Sequence, residues 1–288
     1  MIAEVGQGIR LAYLEEGSGQ PVVLVHGLCA DHRAWEPQIR VLSNHYRTVA
    51  YSRRFSTINQ NAGDIHEDTV LNNVEDLAGL IKKLQINPAH IVGHSYGGEI
   101  ATYFAYKHPD LLRSLTIIEP STLSAIIEDP NSGFQRFMLL LRNPSAAMAL
   151  LDLAKTLIDP ALKAIRRGDS TSAARLLVDG TQAKPGSFDT FPEGYRNMMI
   201  ENAREIYNFE IPELSFKRAD IRQIRAPTLI IKGETSHKIL RQIANSLSKI
   251  IPNCELTTIP RSGHFPQVQC TQDFQSSLRG FLESHSRQ

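Results

Sequence analysis

The chain has 288 residues, 42% hydrophobic and 21% charged, with a formal net charge of +1. That length buries a full core, as one large domain or one domain with an insertion, and the near-neutral charge gives no reason to expect nucleic acid or an anionic membrane as a partner. Cys29, Cys254 and Cys270 are too few for a disulfide framework and none forms a C-x-x-C pair; with no signal-peptide pattern at the start and no membrane-length apolar run, a reducing, cytoplasmic setting is expected.

Residues 9–14 read as a strand, and the Gly17-Ser18-Gly19 turn leads to a second at 21–25, apolar on both faces as in a buried parallel sheet. It ends in His26-Gly27-Leu28-Cys29. Residues 35–43 read as a short helix and 47–51 as the next strand, followed by Arg53-Arg54. Asp68 is placed to cap a helix whose apolar residues, from Val70 to Leu84, recur every three or four positions. A strand at 89–92 then enters Gly93-His94-Ser95-Tyr96-Gly97, and a helix from 99 to 108 leaves it, stopped by Pro109. G-x-S-x-G between a strand and a helix is the pattern of a nucleophilic serine on a sharp turn, with glycines where side chains would collide.

Leu115-Thr116-Ile117-Ile118 is a further buried strand, closed by Glu119-Pro120. From 121 to 220 the pattern becomes helical, with apolar stretches at 134–141 and 146–157 broken by Pro144 and Pro160. Strands return at 227–233 and 255–259, with helices at 238–250 and about 268–283. Alternating strands and helices predict an α/β, mostly parallel, doubly wound sheet, with the helical block laid over the strands' C-terminal ends. Phe134, Phe137, Met138, Leu150, Leu151, Met198 and Met199 are expected to pack that block onto the core and line an apolar pocket.

Three motifs now align: His26-Gly27, Gly93-His94-Ser95-Tyr96-Gly97, and Arg261-Ser262-Gly263-His264-Phe265. Their order and spacing resemble the α/β-hydrolase superfamily over essentially the whole chain. The resemblance implies a core of residues 1–120 and 221–288 and a helical cap at 121–220.

A serine hydroxyl needs a base to take its proton, and histidine suits neutral pH. His264 follows the last strand in a turn that could swing its ring over the sheet, and the resemblance puts the family's base there. His26 and His94 flank the site loops and are expected to brace them. The Tyr96 amide, at a helix N-terminus, suits an oxyanion; the resemblance makes the Leu28 amide the second donor. Cys29, His94 and Arg53 are the candidate substrate contacts, Cys29 as pocket wall. Arg53 and Arg54 could bind a substrate carboxylate or pair with acids of the cap.

The third triad member departs from the family pattern. Many relatives carry an aspartate three residues after the glycine ending the post-cap strand, and here that position is Ser236. Glu119, at the end of the strand after the serine helix, and Glu234, directly after Gly233, both satisfy the chain order serine, acid, histidine. Glu119 is the preferred candidate. The expected activity is a serine hydrolase acting on a small or medium carboxylic ester or lactone. Carbon–carbon cleavage in a diketone, or a non-hydrolytic binding protein or cyclase, are the alternatives. No cofactor or metal is implied, since H-E-x-x-H, a phosphate loop and clustered ligands are absent from the sequence.

Overall fold

The computed structural model describes residues 1–59, 61, 63–211 and 216–286. Its frame is an eight-stranded sheet: β1 (Ile2–Glu4), β2 (Arg10–Glu16), β3 (Pro21–Val25), β4 (Arg47–Tyr51), β5 (Ala89–His94), β6 (Leu112–Ile118), β7 (Thr228–Gly233) and β8 (Cys254–Ile259). The strand order is β1-β2-β4-β3-β5-β6-β7-β8. β1 and β2 pair antiparallel, as do β2 and β4; every later pair is parallel. β3 is apolar on both faces because helices cover both sides of the sheet, whereas β5, equally buried, carries His90 and His94 on one face. β1 was not anticipated. It is three residues long, too short for alternation to register.

Helices α1 (Glu36–Leu42), α2 (Val70–Leu84) and α3 (Tyr96–Lys107) connect the first strands. α2 is capped by Thr69, whose hydroxyl accepts the Asn72 amide, and not by Asp68. Asp68 is fully buried and taken by charge partners described below.

Between β6 and β7 the described elements are all helical: α4 (Gly133–Arg142), α5 (Pro144–Leu153), α6 (Asp159–Arg166), α7 (Ser170–Gln182), α8 (Glu193–Glu201) and α9 (Arg218–Ile221), with a 3-10 segment at Ala203–Glu210. Pro144 starts α5 at its first position, where its missing N–H is not needed. Pro160 breaks nothing. A π-turn at Ala154–Ile158 widens the helix just before it, which relieves the clash and the lost hydrogen bond.

The block divides into two packing regions. From Leu157 to Ile206 it forms an apolar cluster with Cys29, Ala30, Ala34 and Phe265, residues of the loops at the C-terminal end of the sheet. α4 and α5 instead turn Leu139, Ala146, Ala147 and Ala149 toward the main core, while Phe134, Phe137 and Leu151 stay exposed. The expectation that those three line a pocket is therefore corrected: the two helices face the main core, and of their residues Leu153 at the end of α5 reaches the cluster over the sheet end. α10 (Lys238–Ile250), α11 (Pro266–Gln269) and α12 (Thr271–Ser284) complete the chain. Among the described residues, no helix is long and apolar enough to cross a membrane.

Candidate active site

The site forms where β5 runs into α3. Ser95 occupies φ 54°, ψ −119°, a backbone conformation that side-chain-bearing residues rarely adopt. The surroundings force it. A Cβ on Gly93 would overlap the Gly97 carbonyl, and one on Gly97 would overlap the Val25 and His26 carbonyls, so the turn closes only with glycine at both places. The Ser95 amide is anchored to the Ile118 carbonyl at 2.9 Å, and its hydroxyl projects over the sheet end.

His264, on the loop after β8, brings Nε2 to 2.9 Å from Ser95 Oγ. Its Nδ1 lies 3.0 Å from Oε2 of Glu119, the residue after β6. Glu119 also holds a left-handed conformation, φ 49°, which turns its carboxylate across the sheet edge under β7. Its other oxygen accepts the Gly233 amide at 2.5 Å and the Ser236 hydroxyl at 3.0 Å. Ser236, where the family pattern has aspartate, is thus a neutral donor to an acid supplied by another strand. A second carboxylate there would meet Glu119 in a dry site and repel it. Glu234 faces the other way, its Oε2 accepting the Arg261 amide at 2.9 Å near the surface.

Burial lowers the pKa of His264, with the nearby His237 adding a smaller push in the same direction, so the resting ring is neutral and able to take a proton. Burial pushes the Glu119 carboxyl up, while the Gly233 amide and the Ser236 hydroxyl pull it back down. With Oε1 already accepting two donors, Oε2 is left to accept Nδ1–H, which leaves Nε2 unprotonated toward Ser95. His94 is neutral too, lowered to about 3 by burial and then by His264, and its Nε2 donates to the His264 carbonyl at 2.8 Å. His94 braces the histidine loop.

Neither the Leu28 nor the Tyr96 amide has a hydrogen-bond acceptor among the described residues. Both residues flank the serine, one on the loop after β3 and one at the first position of α3. Such paired amides can stabilise an oxyanion.

The cavity beside Ser95 is lined by His26, His94, His264, Trp35, Gln267 and the apolar Leu28, Leu177, Tyr195, Met199 and Phe265, among others. At about 20 Å³ it holds roughly one water. Cys29, expected as pocket wall, is not among those lining residues; its side chain is fully buried in the cluster under the helical block. Arg53, expected to contact substrate, is also fully buried. It pairs with Asp68 at 3.2 Å and Glu205 at 2.6 Å, and stacks over the Tyr96 ring. Arg54 makes a two-pronged pair with Asp76, both contacts at 2.8 Å. Of the two openings left by the sequence, pairing with acids of the cap holds for Arg53 through Glu205 alone; Asp68 and Asp76, the other partners, belong to the core. Asp68 and Glu205 were missed as the partners of Arg53, and Asp76 as that of Arg54. Glu205 sits in a 3-10 segment of mixed polar and apolar residues whose sequence alone assigns it no role, and only the fold reveals the buried arginine opposite.

A family model described as alpha/beta hydrolase fold matches residues 20–269. The chain belongs to the α/β-hydrolase family. Among its relatives is a 2-hydroxy-6-oxo-2,4-heptadienoate hydrolase of Pseudomonas putida, 27% identical over 97% of both chains. Two solved structures share the α/β-hydrolase fold with it. An esterase from Exiguobacterium antarcticum superimposes with TM-score 0.73 at 18% identity, over 98% of each chain. The enol-lactonase from Burkholderia xenovorans gives TM-score 0.62 at 20% identity, over 98% of this chain and 100% of that one.

Proposed function

We propose that this α/β-hydrolase is a serine hydrolase that cleaves a small or medium carboxylic ester or lactone through an acyl-enzyme on Ser95, with residues 121–220 acting as its cap. The observation that carries the reading is the unbroken hydrogen-bond chain Glu119–His264–Ser95 beside two amides with no acceptor among the described residues. Ser95 Oγ attacks the acyl carbonyl while its proton passes to His264 Nε2. The imidazolium is stabilised by the Glu119 carboxylate, and the negative oxygen of the tetrahedral intermediate is received by the Leu28 and Tyr96 amides. Collapse releases the alcohol, protonated by His264. Water, deprotonated by the same ring, then frees the acid and restores Ser95.

Among the described residues that line the cavity there is no Lys, Arg, Asp or Glu, which favours an uncharged group there. A second reading, cleavage of a carbon–carbon bond in a diketone with the same residues, is favoured by the Pseudomonas putida relative. The dienoate named for that relative is an anion, and here Arg53 is already neutralised by Asp68 and Glu205. That argues for the ester. The test is turnover of p-nitrophenyl butyrate and of a 2-hydroxy-6-oxo-dienoate by wild type and Ser95→Ala. Ester turnover that vanishes in Ser95→Ala supports the proposal. Turnover of the dienoate alone replaces it with the second reading, and no Ser95-dependent turnover of either overturns both.

A further inference from the structure

The Leu28 amide does not reach its position unaided. It belongs to the trans peptide Gly27–Leu28, in which the C=O and N–H point in opposite directions. Whatever holds the Gly27 oxygen therefore aims the Leu28 N–H. Two donors hold it, His26 Nδ1 at 2.8 Å and Arg53 Nη2 at 3.3 Å. His26 is fixed in that tautomer because its Nε2 accepts the Arg53 backbone amide at 3.0 Å. The next peptide is held from the opposite side: the Cys29 amide donates to Glu205 Oε2 at 2.7 Å. Cys29 itself sits at φ 57°, a left-handed conformation on the order of 1 kcal/mol above the ordinary one, so the loop needs an external hold to stay there.

One ion pair supplies both holds. Glu205 Oε2 accepts Arg53 Nη2 at 2.6 Å, and its Oε1 accepts the Ser56 hydroxyl at 3.2 Å. Arg53 is completed by Asp68, which also accepts Asn73 and Asn208. Arg53 and Glu205 are respectively 0% and 1% exposed, so their attraction is little screened and their geometry is stiff. Arg53 comes from the loop after β4, and Glu205 from the helical block.

We infer that Glu205, acting with Arg53, is a positioning residue that clamps the two peptides flanking Leu28 and aims the Leu28 amide at the developing oxyanion. The inference rests on the acyl-enzyme reading above. It makes the helical block part of the catalytic geometry, beyond a wall around the substrate: without Glu205 the Cys29 amide has lost its acceptor and Arg53 the partner that presses it toward Gly27.

The test compares Glu205→Ala and Glu205→Gln with Asn202→Ala in the full chain. Asn202 ties the same block to the core, accepting the Thr57 amide at 2.8 Å and donating to Asp31 at 3.1 Å, without touching the Gly27–Cys29 peptides. The readouts are kcat and KM on p-nitrophenyl butyrate, affinity for a trifluoromethyl ketone whose tetrahedral adduct needs the oxyanion donors, and Tm. Glu205→Ala should lower kcat about 10- to 100-fold, part of the loss seen when an oxyanion donor is removed, with KM little changed. Ketone affinity should fall in parallel. Glu205→Gln keeps one acceptor and should lie between, roughly 3- to 10-fold down in both kcat and ketone affinity. Asn202→Ala should lower Tm and leave kcat within about twofold. Equal kcat losses in Glu205→Ala and Asn202→Ala would overturn the inference. If Glu205→Ala does not fold, wild-type ketone affinity in Glu205→Gln overturns it alone. Turnover that survives in Ser95→Ala defeats the acyl-enzyme reading instead, and the clamp's catalytic role with it.

Discussion

Glu119→Gln is the substitution whose outcome the geometry constrains most tightly. Glu119 Oε1 accepts two donors, the Gly233 amide and the Ser236 hydroxyl, while Oε2 faces His264 Nδ1. Glutamine has one acceptor oxygen and one donating amide. The Gly233 amide can only donate, so the carbonyl must take the Oε1 place and the NH₂ must face His264. Nδ1 is then forced to accept, the proton moves to Nε2, and the ring points N–H at Ser95 where it must act as base. Shape, volume and most packing are retained. The loss should be on the order of 10⁴ in kcat, as expected for a wrong-tautomer triad, equivalent to about 5 kcal/mol of transition-state stabilisation. The assay is steady-state hydrolysis of p-nitrophenyl butyrate, with Tm measured to confirm folding and Glu234→Gln as the companion. Glu234 only accepts the Arg261 amide near the surface and should change kcat less than about threefold. A kcat within tenfold of wild type in folded Glu119→Gln would refute the reasoning.

Three further outcomes follow. Met199→Ala, which removes a fully buried thioether from the cavity wall, should raise kcat/KM for longer p-nitrophenyl acyl chains relative to acetate by about tenfold; an unchanged chain-length profile contradicts the assigned pocket. The acid limb of the kcat/KM–pH profile should lie above the ordinary carboxylate range. Burial raises Glu119, so activity that needs its carboxylate is lost as pH falls through that raised pKa. A profile flat from pH 5 to 9 would contradict this. Asp76→Ala, which strands buried Arg54, should destabilise the fold by about 3 kcal/mol in urea unfolding, with kcat of the folded enzyme unchanged; a Tm within about a degree of wild type would count against it.

Sheet, serine turn and histidine loop were legible because each follows from local chemistry. Strands buried on both faces read as continuous apolar runs, and the turn at Ser95 admits only glycine two residues to either side. The candidate acid was harder. Glu119 and Glu234 are indistinguishable by chain order, and what separates them is the left-handed φ of Glu119 and the register that sets Ile118 beside Ile231. Ser236 read as a missing acid, whereas in three dimensions it donates to one. Asp68 and Glu205 were illegible as arginine partners because the contacts cross 15 and 152 residues of chain, and for Asp68 the local sequence offers a helix cap as an equally good explanation. Phe134, Phe137 and Leu151 failed as pocket residues for a related reason: apolar spacing identifies a helix, but not which neighbour its apolar face meets.

The most direct measurement of the central claim is covalent labelling with a fluorophosphonate, followed by proteolysis and mass spectrometry to locate the adduct. An activated serine in an oxyanion site is phosphonylated, and an ordinary surface serine is not. The label should fall on the peptide carrying Ser95 alone, vanish in Ser95→Ala, and slow by orders of magnitude in Glu119→Gln. An adduct on another residue, or none on folded wild-type protein, would contradict the account.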